Sequence, residues 1–562
     1  MCRMDISVYT FMAFLIISCL HVSCNELHRL ENHTVHMQVG SFKDIVIPKK
    51  ARLEFVLENI TDFSNTVAVF QIHTQYQNLS ASSVLTPTLD FAMNGSDVGL
   101  ITELHEEQNM SVWYVNSTYN ETIRAQAMAL LYKDTDPIPG ACNFEGNLLN
   151  DPNIHVHYNI YETVLQFAPA NIGWPRDDAQ PSCDTTRSPR LRLMYDVYQY
   201  FLPEHKLDEE YMFDGLQKMT TVDRIRKHGA KIATLDQSKK TNFTVSSFRG
   251  QGVVFNVIVR DPIELTSAAY IPTTSYACSF TARVDSCYVA ADPTLLVIVT
   301  VFGIVGLFIC FVGHRYFKTE MFIFGFLTFA LVFFIIFAAA TDWSHLVRLI
   351  LTMVCALLGG CLLLLYWWRF GSVVFCVLIV GMDLGYLFAS LVFFTPFGNL
   401  SVWQSNVNYG LAFTCLLLLL PVILIYFTKQ LNIIACCFVG SYLCVSGISC
   451  YLYSSLGYIV VNPLKRILMP DFDTAYTSVP FQQNDYILVG VWVVLATAGM
   501  ILQFCRERRI GFPAWPYKEW KRKRQHDQLD REVFNRHLQQ GTSDEKKPLL
   551  GRHVHDVTNE VA

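Results

Sequence analysis

The sequence predicts a β-rich extracellular region of two tandem β-sandwich or jelly-roll-like domains, followed by an all-α transmembrane bundle of seven helices. The chain has 562 residues, of which 52% are hydrophobic and only 16% are charged, whereas charged residues make up about 25% of a typical soluble protein. The apolar excess is concentrated in residues 294–504, whereas residues 25–290 have the composition of a globular region with strand-like alternation. Residues 505–562 form a basic cytosolic tail in this prediction.

Residues 1–24 are typical of a secretory signal peptide. Arg3 supplies a weak positive region, and Val8–Leu20 form an apolar core that is shorter than the roughly 20 residues needed to cross a bilayer as a helix. Small residues near Cys24 suit a cleavage site. An uncleaved membrane anchor is the alternative.

The region after the signal peptide predicts antiparallel β structure. Phe70 and Ile72 alternate with Gln71 and His73, which is the period of a half-buried strand. A second strand-like run, GVVFNVIVR, begins at Gly252. We therefore expect sandwich or jelly-roll domains in this region.

Two stretches interrupt this β pattern. Residues 206–228 have helical periodicity, and the Pro, Asp and Ser residues of 176–188 indicate a linker. We accordingly expect a glycosylated β-rich first part at residues 25–176 and a β-rich second part at residues 177–290.

Seven apolar runs match the length of membrane-spanning helices. They lie at 294–313, 320–340, 346–366, 371–394, 409–427, 431–453 and 486–504. Basic residues concentrate on the cytoplasmic side of membrane proteins. The predicted inner segments hold Arg315, Lys318, Arg369, Lys429 and eight basic residues from Arg506 to Arg524, against Lys465 and Arg466 outside and Arg348 at a helix edge. This bias predicts a multi-pass protein of the cell membrane with its amino terminus outside and its carboxyl terminus in the cytosol.

Acceptor patterns for N-linked sugars support a luminal or extracellular first half, because such sugars are added outside the cytosol. The eight patterns lie at Asn32, Asn59, Asn78, Asn94, Asn109, Asn116, Asn120 and Asn242. Another pattern, at Asn399, lies on the luminal side in this topology. It is only about five residues from the end of span four, so we expect it to stay unmodified.

Four cysteines lie in the region before the spans, Cys142, Cys183, Cys278 and Cys287. An even number in an oxidising compartment predicts two disulfides, and three pairings are open. Proximity in the sequence favours Cys142–Cys183 and Cys278–Cys287.

Asp383 lies near the middle of predicted span four. A charge at this depth is costly and usually faces a protein or water-filled interior. One interpretation is a proton or cation site of a transporter. The other is a protonated or hydrogen-bonded carboxyl group that serves helix packing, which Gly381 and Gly385 favour because their GxxxG spacing lets helices approach closely.

Metal sites and catalytic sites are not predicted. His155 and His157, and likewise His33 and His36, are close in sequence but lack nearby carboxylates or thiols at metal-ligand spacing. We interpret them as solvent-facing histidines on strands.

Enzymatic motifs and the marks of a typical G-protein-coupled receptor are also missing from the sequence. TDWSH, at residues 341–345, contains the residue types of a hydrolase triad, but adjacent residues do not form triad geometry. Span three ends in YWWRFG and span seven lacks NPxxY. The sequence thus predicts a protein that is not an enzyme, with no cofactor and no nucleic-acid partner.

The tail carries two features. The basic residues of 506–524 predict attraction to anionic lipids of the inner leaflet. Glu545, Leu549 and Leu550 have the ExxxLL spacing of an acidic dileucine sorting signal, which would bind a clathrin adaptor and add an endosomal, lysosomal or other endomembrane pool.

Several strings resemble the seven-span membrane glycoprotein family of transmembrane seven superfamily member three. They are DPIPGACN, FAPANIG, YDVYQYFLPE, GQGV, AAYIP and YACSF in the first half, and WWRFG, FFTPFGNL and VPFQQND in the second. The resemblance covers about residues 40 to 520. It implies a multi-pass glycoprotein that protects cells from programmed death and tempers the response to unfolded protein. Asp383 falls where an apolar residue is expected in this family.

Three functions follow from these observations. The leading hypothesis is a non-enzymatic membrane glycoprotein that supports cell survival and protein homeostasis under stress through an unknown protein partner of the ectodomain. The alternatives are an orphan cell-surface receptor that signals through its tail, and a solute or ion transporter that uses Asp383.

Overall fold

The structure is a computed structural model that describes residues 34–544. The gaps lie at 63, 86–91, 145–147, 160, 184–190, 205, 237–240, 284, 288–292, 342, 453, 470–471, 473–474 and 510. Several predictions fall outside the described residues, namely the signal peptide, Asn32, His33, Asp342 of the TDWSH stretch, and the sorting residues Glu545, Leu549 and Leu550.

The first β-sandwich contains nine strands in two sheets. The strands are β1 Thr34–Met37, β2 Lys43–Ile47, β3 Arg52–Leu57, β4 Asn65–His73, β5 Leu79–Ser82, β6 Ala92–Gly95, β7 Asp97–Glu103, β8 Ser111–Asn116 and β9 Ile123–Lys133. One sheet has the order β1-β3-β8-β5-β6 and the other the order β2-β9-β4-β7. All pairs are antiparallel except β1 and β3.

The core of the first sandwich lies between these sheets. Strand β8 alternates buried and half-buried residues, as a strand with one face inside must. Its Trp113 is fully buried and stacks on Phe70 of β4 with ring centroids 5.0 Å apart, and Phe70 also contacts Phe55. These rings fill the centre of the sandwich.

Strand β4 is buried along its whole length, whereas the alternation of its residues predicted a half-buried strand. One face, with Phe70 and Ile72, belongs to the core of the first sandwich. The other face, with Val67 and Val69, joins the core of the second sandwich. The polar residues on that second face are therefore buried against another domain instead of facing water.

The second β-sandwich contains the remaining strands and two helices. They are β10 Ile154–Tyr158, β11 Glu162–Phe167, β12 Met194–Phe201, α1 Glu209–Lys218, α2 Val222–His228, β13 Ala230–Asp236, β14 Asn242–Ser246, β15 Val253–Arg260, β16 Ser267–Ala269 and β17 Thr273–Ser275. The sheets have the orders β10-β11-β14 and β13-β12-β15-β16, and β17 also pairs with β15. Helices α1 and α2 occupy the stretch predicted to be helical.

The boundary between the sandwiches differs from the predicted one at residue 176. Strands β10 and β11 lie before that residue, yet β11 pairs with β14, for example Leu165 with Phe243. The hydrogen bonds of this sheet thus place the chain from Ile154 onward in the second sandwich. The polar stretch of 176–188 connects two strands of one domain.

Both predicted disulfides are present. Cys142 pairs with Cys183 at a Cα–Cα distance of 5.7 Å, and Cys278 pairs with Cys287 at 5.1 Å. The first disulfide connects the chain before β10 with the chain before β12, and the second closes a short loop after β17.

The second half of the described chain is helical. Its helices are α3 Pro293–Val312, α4 Phe317–Ala340, α5 His345–Phe370, α6 Val373–Phe394, α7 Asn406–Leu424, α8 Thr428–Leu452, α9 Tyr458–Leu468, α10 Gln483–Arg506 and α11 Pro516–Asp544. Short 3₁₀ turns at Gly313–Tyr316 and Ile425–Phe427 separate α3 from α4 and α7 from α8.

Five segments of the described chain are long and apolar enough to cross a membrane. They are Leu296–Ala340, Leu346–Phe370, Val373–Phe394, Asn406–Leu452 and Gln483–Arg506. The first and fourth have 45 and 47 residues, whereas roughly 20 residues suffice for one crossing. The seven-helix count remains a prediction.

The described chain forms two compact units. The first unit joins the two sandwiches with Leu391–Tyr409 and Ile448–Leu488. The second unit contains Thr300–Ser390, Gly410–Gly447 and the chain from Val489 onward. Two connections between helices therefore belong with the sandwiches: the α6–α7 connection (residues 395–405) and the α8–α10 connection (residues 453–482, which includes α9).

Candidate functional sites

The sugar acceptors that the structure describes lie on the sandwich surfaces. Asn59, Asn78, Asn94, Asn109, Asn120 and Asn242 are exposed, and Asn116 is half-buried. Glycosylation requires an exposed asparagine, and these positions suit the predicted modification.

Asn399 has a structural role in the α6–α7 connection. Its Oδ1 accepts hydrogen bonds from the backbone nitrogen and the Oγ1 of Thr477, both at 3.0 Å, and the residue is half-buried. An N-linked sugar would be attached to this same carboxamide. The contact favours the expectation that Asn399 is unmodified, which stays a prediction.

The histidines of β10 lie on the surface. His155 and His157 are exposed, and His155 Nε2 lies 2.8 Å from Asp151 Oδ2. This hydrogen bond raises the pKa of His155 against the opposing effect of its partial burial. Within the described residues no group of three or more metal-ligating side chains is gathered at one place.

A buried His–Asp pair inside the first unit was missed by the sequence analysis. His73 Nδ1 lies 2.7 Å from Asp97 Oδ1, and both side chains are buried. Asp97 Oδ2 also accepts a hydrogen bond from the backbone nitrogen of Thr274 in β17 at 3.0 Å. The pair therefore connects the two sandwiches. A histidine on the polar face of a strand gave no sign that a second domain covers that face.

Asp383 pairs with one hydroxyl group. Thr328 Oγ1 of α4 lies 3.0 Å from both carboxyl oxygens of Asp383 on α6, and 3.0 Å from the carbonyl oxygen of Phe324. A hydroxyl group has one proton to donate. Two of these contacts are hydrogen bonds at the same time if a protonated Asp383 donates from one carboxyl oxygen to Thr328 and Thr328 donates to Phe324. The geometry supports a role in helix packing.

Close helix approach near Asp383 supports the same interpretation. A Cβ atom at Gly385 would lie 1.9 Å from the carbonyl oxygen of Leu417 on α7, and one at Gly381 would lie 3.1 Å from the side chain of Leu431. Helix α6 thus uses its GxxxG spacing to pack against neighbouring helices.

A second intramembrane acid, Glu320, was also missed. It lies near the start of α4 and is 1% exposed, with Cys436 Sγ 2.9 Å from its Oε1. Nearby, the amide of Asn432 lies 3.1 Å from His314 Nδ1. Glu320 lies at the end of the predicted span 320–340, whereas Asp383 lies near the centre of its span and is therefore conspicuous in the sequence. The polar residues of α8 near Lys429 were the available signal.

Lys465 of α9 forms hydrogen bonds between the α8–α10 connection and the second sandwich. Its Nζ donates to Ser246 Oγ at 3.2 Å and to the carbonyl oxygens of Tyr161 at 3.3 Å and Ser247 at 3.4 Å. The residue is 6% exposed, and burial lowers the pKa of Lys465 to about 8. The basic residue that stood against the positive-inside rule is thus part of a domain contact.

A strand-like bridge extends this contact. Tyr476 pairs with Val245 of β14 in parallel. The backbone nitrogen of Ser246 donates to the carbonyl oxygen of Tyr476 at 3.0 Å, and the backbone nitrogen of Tyr476 donates to the carbonyl oxygen of Thr244 at 3.0 Å. The ring of Tyr476 also lies 4.7 Å from that of Phe243. The α8–α10 connection therefore contributes a short extra strand to the edge of the β10-β11-β14 sheet.

Polar contacts bind the end of the same connection to β12 and to the chain directly after it. Gln199 Nε2 donates to Ser478 Oγ at 2.7 Å, and Gln482 Nε2 donates to the carbonyl oxygen of Leu202 at 3.0 Å. The backbone nitrogen of Glu204 donates to Gln482 Oε1 at 3.0 Å. We name the set of contacts made by Lys465, Tyr476, Ser478 and Gln482 the junction.

Arg466 binds the two helix connections together. Its guanidinium group donates to the carbonyl oxygen of Trp403 and, at 3.3 Å, to Asn406 Oδ1. It also lies 4.1 Å from the ring centroid of Tyr409. With the Asn399–Thr477 hydrogen bonds, this places the α6–α7 connection directly beside the α8–α10 connection.

The tail begins with an aromatic and basic cluster. Trp515 Nε1 donates to the carbonyl oxygen of Trp368 at 3.3 Å, and the guanidinium group of Arg369 lies 4.9 Å from the ring of Tyr517. Trp520 is 43% exposed and lies beneath Arg524 at 4.7 Å. Such residues are typical of the membrane–water interface. The acidic dileucine motif lies outside the described residues.

Two sandwiches followed by membrane-spanning helices define the class as a multi-pass membrane protein with two immunoglobulin-like domains. Family models match as a TM7SF3-like N-terminal immunoglobulin-like domain at residues 33–132, a TM7SF3-like second immunoglobulin-like domain at 137–281 and a TM7S3/TM198-like domain at 299–504. The chain is 44% identical over 494 residues to transmembrane 7 superfamily member 3 of Mus musculus, covering 87% of each chain. The identity to the Homo sapiens protein of that name is 42%, covering 87% of this chain and 86% of the relative. The chain belongs to the transmembrane 7 superfamily member 3 family.

Proposed function

We propose that this protein is a non-enzymatic membrane glycoprotein whose immunoglobulin-like domains bind a protein partner while the junction holds them on the helix connections. The observation that carries this proposal is the junction itself. Lys465 and the Tyr476 bridge give the second sandwich both side-chain and backbone hydrogen bonds to the chain between α8 and α10. A partner bound to the sandwiches would therefore act directly on the chain that connects two helices.

The same contacts support a seven-span topology by parity. The α8–α10 connection contacts the second sandwich, and the α6–α7 connection contacts the α8–α10 connection through Arg466 and Thr477. These contacts favour one side of the membrane for all three. If all three share a side, the chain crosses the membrane an even number of times before residue 395, and an even number of times again between the two connections.

Five crossings do not meet this condition. One crossing each by Leu296–Ala340, Leu346–Phe370 and Val373–Phe394 would be an odd number before residue 395, and one crossing by Asn406–Leu452 would be odd as well. Two crossings by each of the two long segments, turning at their 3₁₀ breaks, satisfy both conditions and give seven. The basic linkers then favour the sandwiches outside and the tail in the cytosol.

The proposed role in cell survival under stress rests on the resemblance to the family. The proposed location at the surface and in endomembranes rests on the same resemblance. We test partner binding by chemically crosslinking the intact protein at the surface of living cells and identifying the captured proteins. The same cells are then challenged with an agent that causes protein unfolding, and survival is counted with and without the protein.

Variants separate the proposed functions. A chain without residues 25–290 should lose both the captured partner and the survival effect, while a chain without residues 525–562 should keep both. Loss of the survival effect in the second variant as well as in the first would favour the orphan receptor that signals through its tail. Full survival with the first variant, at equal abundance in the membrane, would contradict the proposed role of the immunoglobulin-like domains and favour solute transport by the helices.

A further inference from the structure

Two polar clefts in the first unit are lined by sugar-acceptor asparagines. The first, of about 460 Å³, lies between the β5–β6 edge and β17, and Asn78 and Asn94 line it. The second, of about 470 Å³, lies on the β10-β11-β14 sheet, and Asn242 lines it. Both volumes fall in the range of roughly 300–1,000 Å³ that small-molecule sites occupy.

Strand register directs both acceptors of the first cleft to one face. Ser80 of β5 pairs with Asn94 of β6, so their side chains share a face of the sheet. Asn78 lies two residues before Ser80 and therefore shares that face as well. Strand β6 is the edge of its sheet. Sugars on Asn78 and Asn94 would leave the sheet side by side and toward the cleft.

Aromatic side chains line the same cleft as these acceptors. Tyr76 and Phe280 stack with ring centroids 5.4 Å apart, and Tyr276 meets Phe280 edge-on at 5.0 Å. A sugar ring has an apolar face of C–H groups that packs well on the electron-rich face of an aromatic ring. Ser279 and Thr281 line the same cleft and add hydroxyl groups for the sugar's polar edge.

The second cleft repeats this arrangement around one acceptor. Asn242 of β14 pairs with Gln166 of β11, which in turn pairs with His155 of β10, so the three side chains form a row on one face of the sheet. Phe144 flanks this row and is 56% exposed. His157 lies two residues from His155 on that face. Amide and imidazole groups beside an exposed ring are suited to a carbohydrate.

We propose that the N-linked sugars on Asn78, Asn94 and Asn242 fold back into these clefts and are bound by their own domain. The inference rests on the proposed glycosylation and goes beyond it, because it assigns an occupant to each cleft. Asn59, Asn109 and Asn120 are exposed and line neither cleft, so the inference leaves their sugars in solvent.

The test follows the removal of each sugar from the folded, full-length protein. An N-glycosidase hydrolyses the amide bond between the sugar and asparagine and leaves aspartate, so mass spectrometry of peptides reports each site separately. We expect cleavage at Asn78, Asn94 and Asn242 to be at least tenfold slower than at Asn59, Asn109 and Asn120. After denaturation all sites should be cleaved at similar rates. Equal rates in the folded protein would overturn the inference.

A matched pair of variants tests the second cleft on its own. Phe144→Ala should speed cleavage at Asn242 at least threefold and leave Asn78 unchanged. Leu149→Ala is the control, because Leu149 is 82% exposed in the same loop and does not line the cleft. Equal cleavage in both variants would contradict binding by Phe144. If the sites carried no sugar at all, the glycoprotein proposal itself would fail, which is a distinct outcome.

Discussion

Lys465 is a buried cation whose hydrogen bonds go to neutral oxygens of Tyr161, Ser246 and Ser247 in the described chain. The rings of Tyr458 and Phe472 lie 5.2 and 5.7 Å from its Nζ. Cation–π contacts of this kind offset part of the cost of removing the charge from water. The remaining cost appears as the lowered pKa of Lys465, because burial disfavours the charged form.

This lowered pKa gives the stability of the first unit a defined pH dependence. The pKa of lysine is about 10.4 in an unfolded chain and about 8 here. Between these values the unfolded chain binds more protons, so the free energy of unfolding should rise as the pH is raised through this window. We expect thermal unfolding of the detergent-solubilised protein to show this rise between pH 8 and pH 9.5.

Lys465→Met should remove the pH-dependent rise, because methionine keeps the apolar stem without a titrating group. Lys227→Met is the control, since Lys227 is exposed on α2. An unchanged pH profile in the Lys465→Met variant would show that the ammonium group of Lys465 does not cause the rise in stability.

Asp383 allows a second test at the scale of one side chain. Asparagine has the same shape, and its amide can donate to Thr328 as the protonated carboxyl does. If Asp383 serves helix packing, Asp383→Asn should change the thermal midpoint by less than about 2 °C, which corresponds to at most about 0.5–1 kcal/mol. The thermal midpoint of Asp383→Leu should be lower than that of Asp383→Asn, because leucine cannot form the hydrogen bond to Thr328. A loss of pH-dependent solute flux with Asp383→Asn would instead favour transport.

At the scale of elements, helix α6 packs against α7 closely enough to exclude a methyl group. We expect Gly385→Ala to destabilise the helical unit by about 1–3 kcal/mol, because its Cβ would overlap the carbonyl oxygen of Leu417. Gly410→Ala is the matched control on α7, where a Cβ meets no atom within 4 Å. The measurement is the folded fraction in mild detergent, and equal folded fractions for the two variants would contradict the close approach.

Local pattern predicted elements well wherever one chain segment carries the whole signal. Period-two alternation, apolar runs of span length and nearby cysteine pairs located strands, helices and both disulfides. The pattern failed where a distant segment decides the environment. Gln71 and His73 gave β4 a polar face that the second sandwich buries. Proline, aspartate and serine at 176–188 indicated a domain boundary, although pairing between β11 and β14 across the sequence sets it elsewhere.

The same limit applies to the candidate sites. Asp383 was predicted because a lone charge in a long apolar run is visible in sequence. Lys465 appeared only as an exception in a count of charges, since its partners lie about 220 and 300 residues earlier in the chain. Glu320 contacts Cys436 across two helices. Contacts of this range depend on the packing of elements and have no local signature.

The predicted sorting signal in the tail should determine how much of the protein stays at the cell surface. Replacing Leu549 and Leu550 with alanine removes the two apolar side chains that an adaptor would bind. We expect surface biotinylation to rise about twofold or more at unchanged total abundance. A twofold change corresponds to a loss of about 0.4 kcal/mol in the free energy of adaptor binding. The control replaces Arg552 and His553 of the same tail with alanine. Equal surface levels in all three proteins would contradict the sorting signal.

The parity of the crossings is open to direct measurement. Gln404→Cys places a thiol in the α6–α7 connection, where the residue is exposed, and Tyr426→Cys places one in the second 3₁₀ break, where Tyr426 is 86% exposed. With seven spans, a membrane-impermeant maleimide should label the first variant in intact cells and the second only after permeabilisation. With five spans, Gln404 would lie in the cytosol and stay unlabelled until permeabilisation. The parent chain, with its own cysteines, sets the background. Labelling of Gln404→Cys in intact cells would place this connection on the same side as the sandwiches, in agreement with its hydrogen bonds to Arg466 and Thr477.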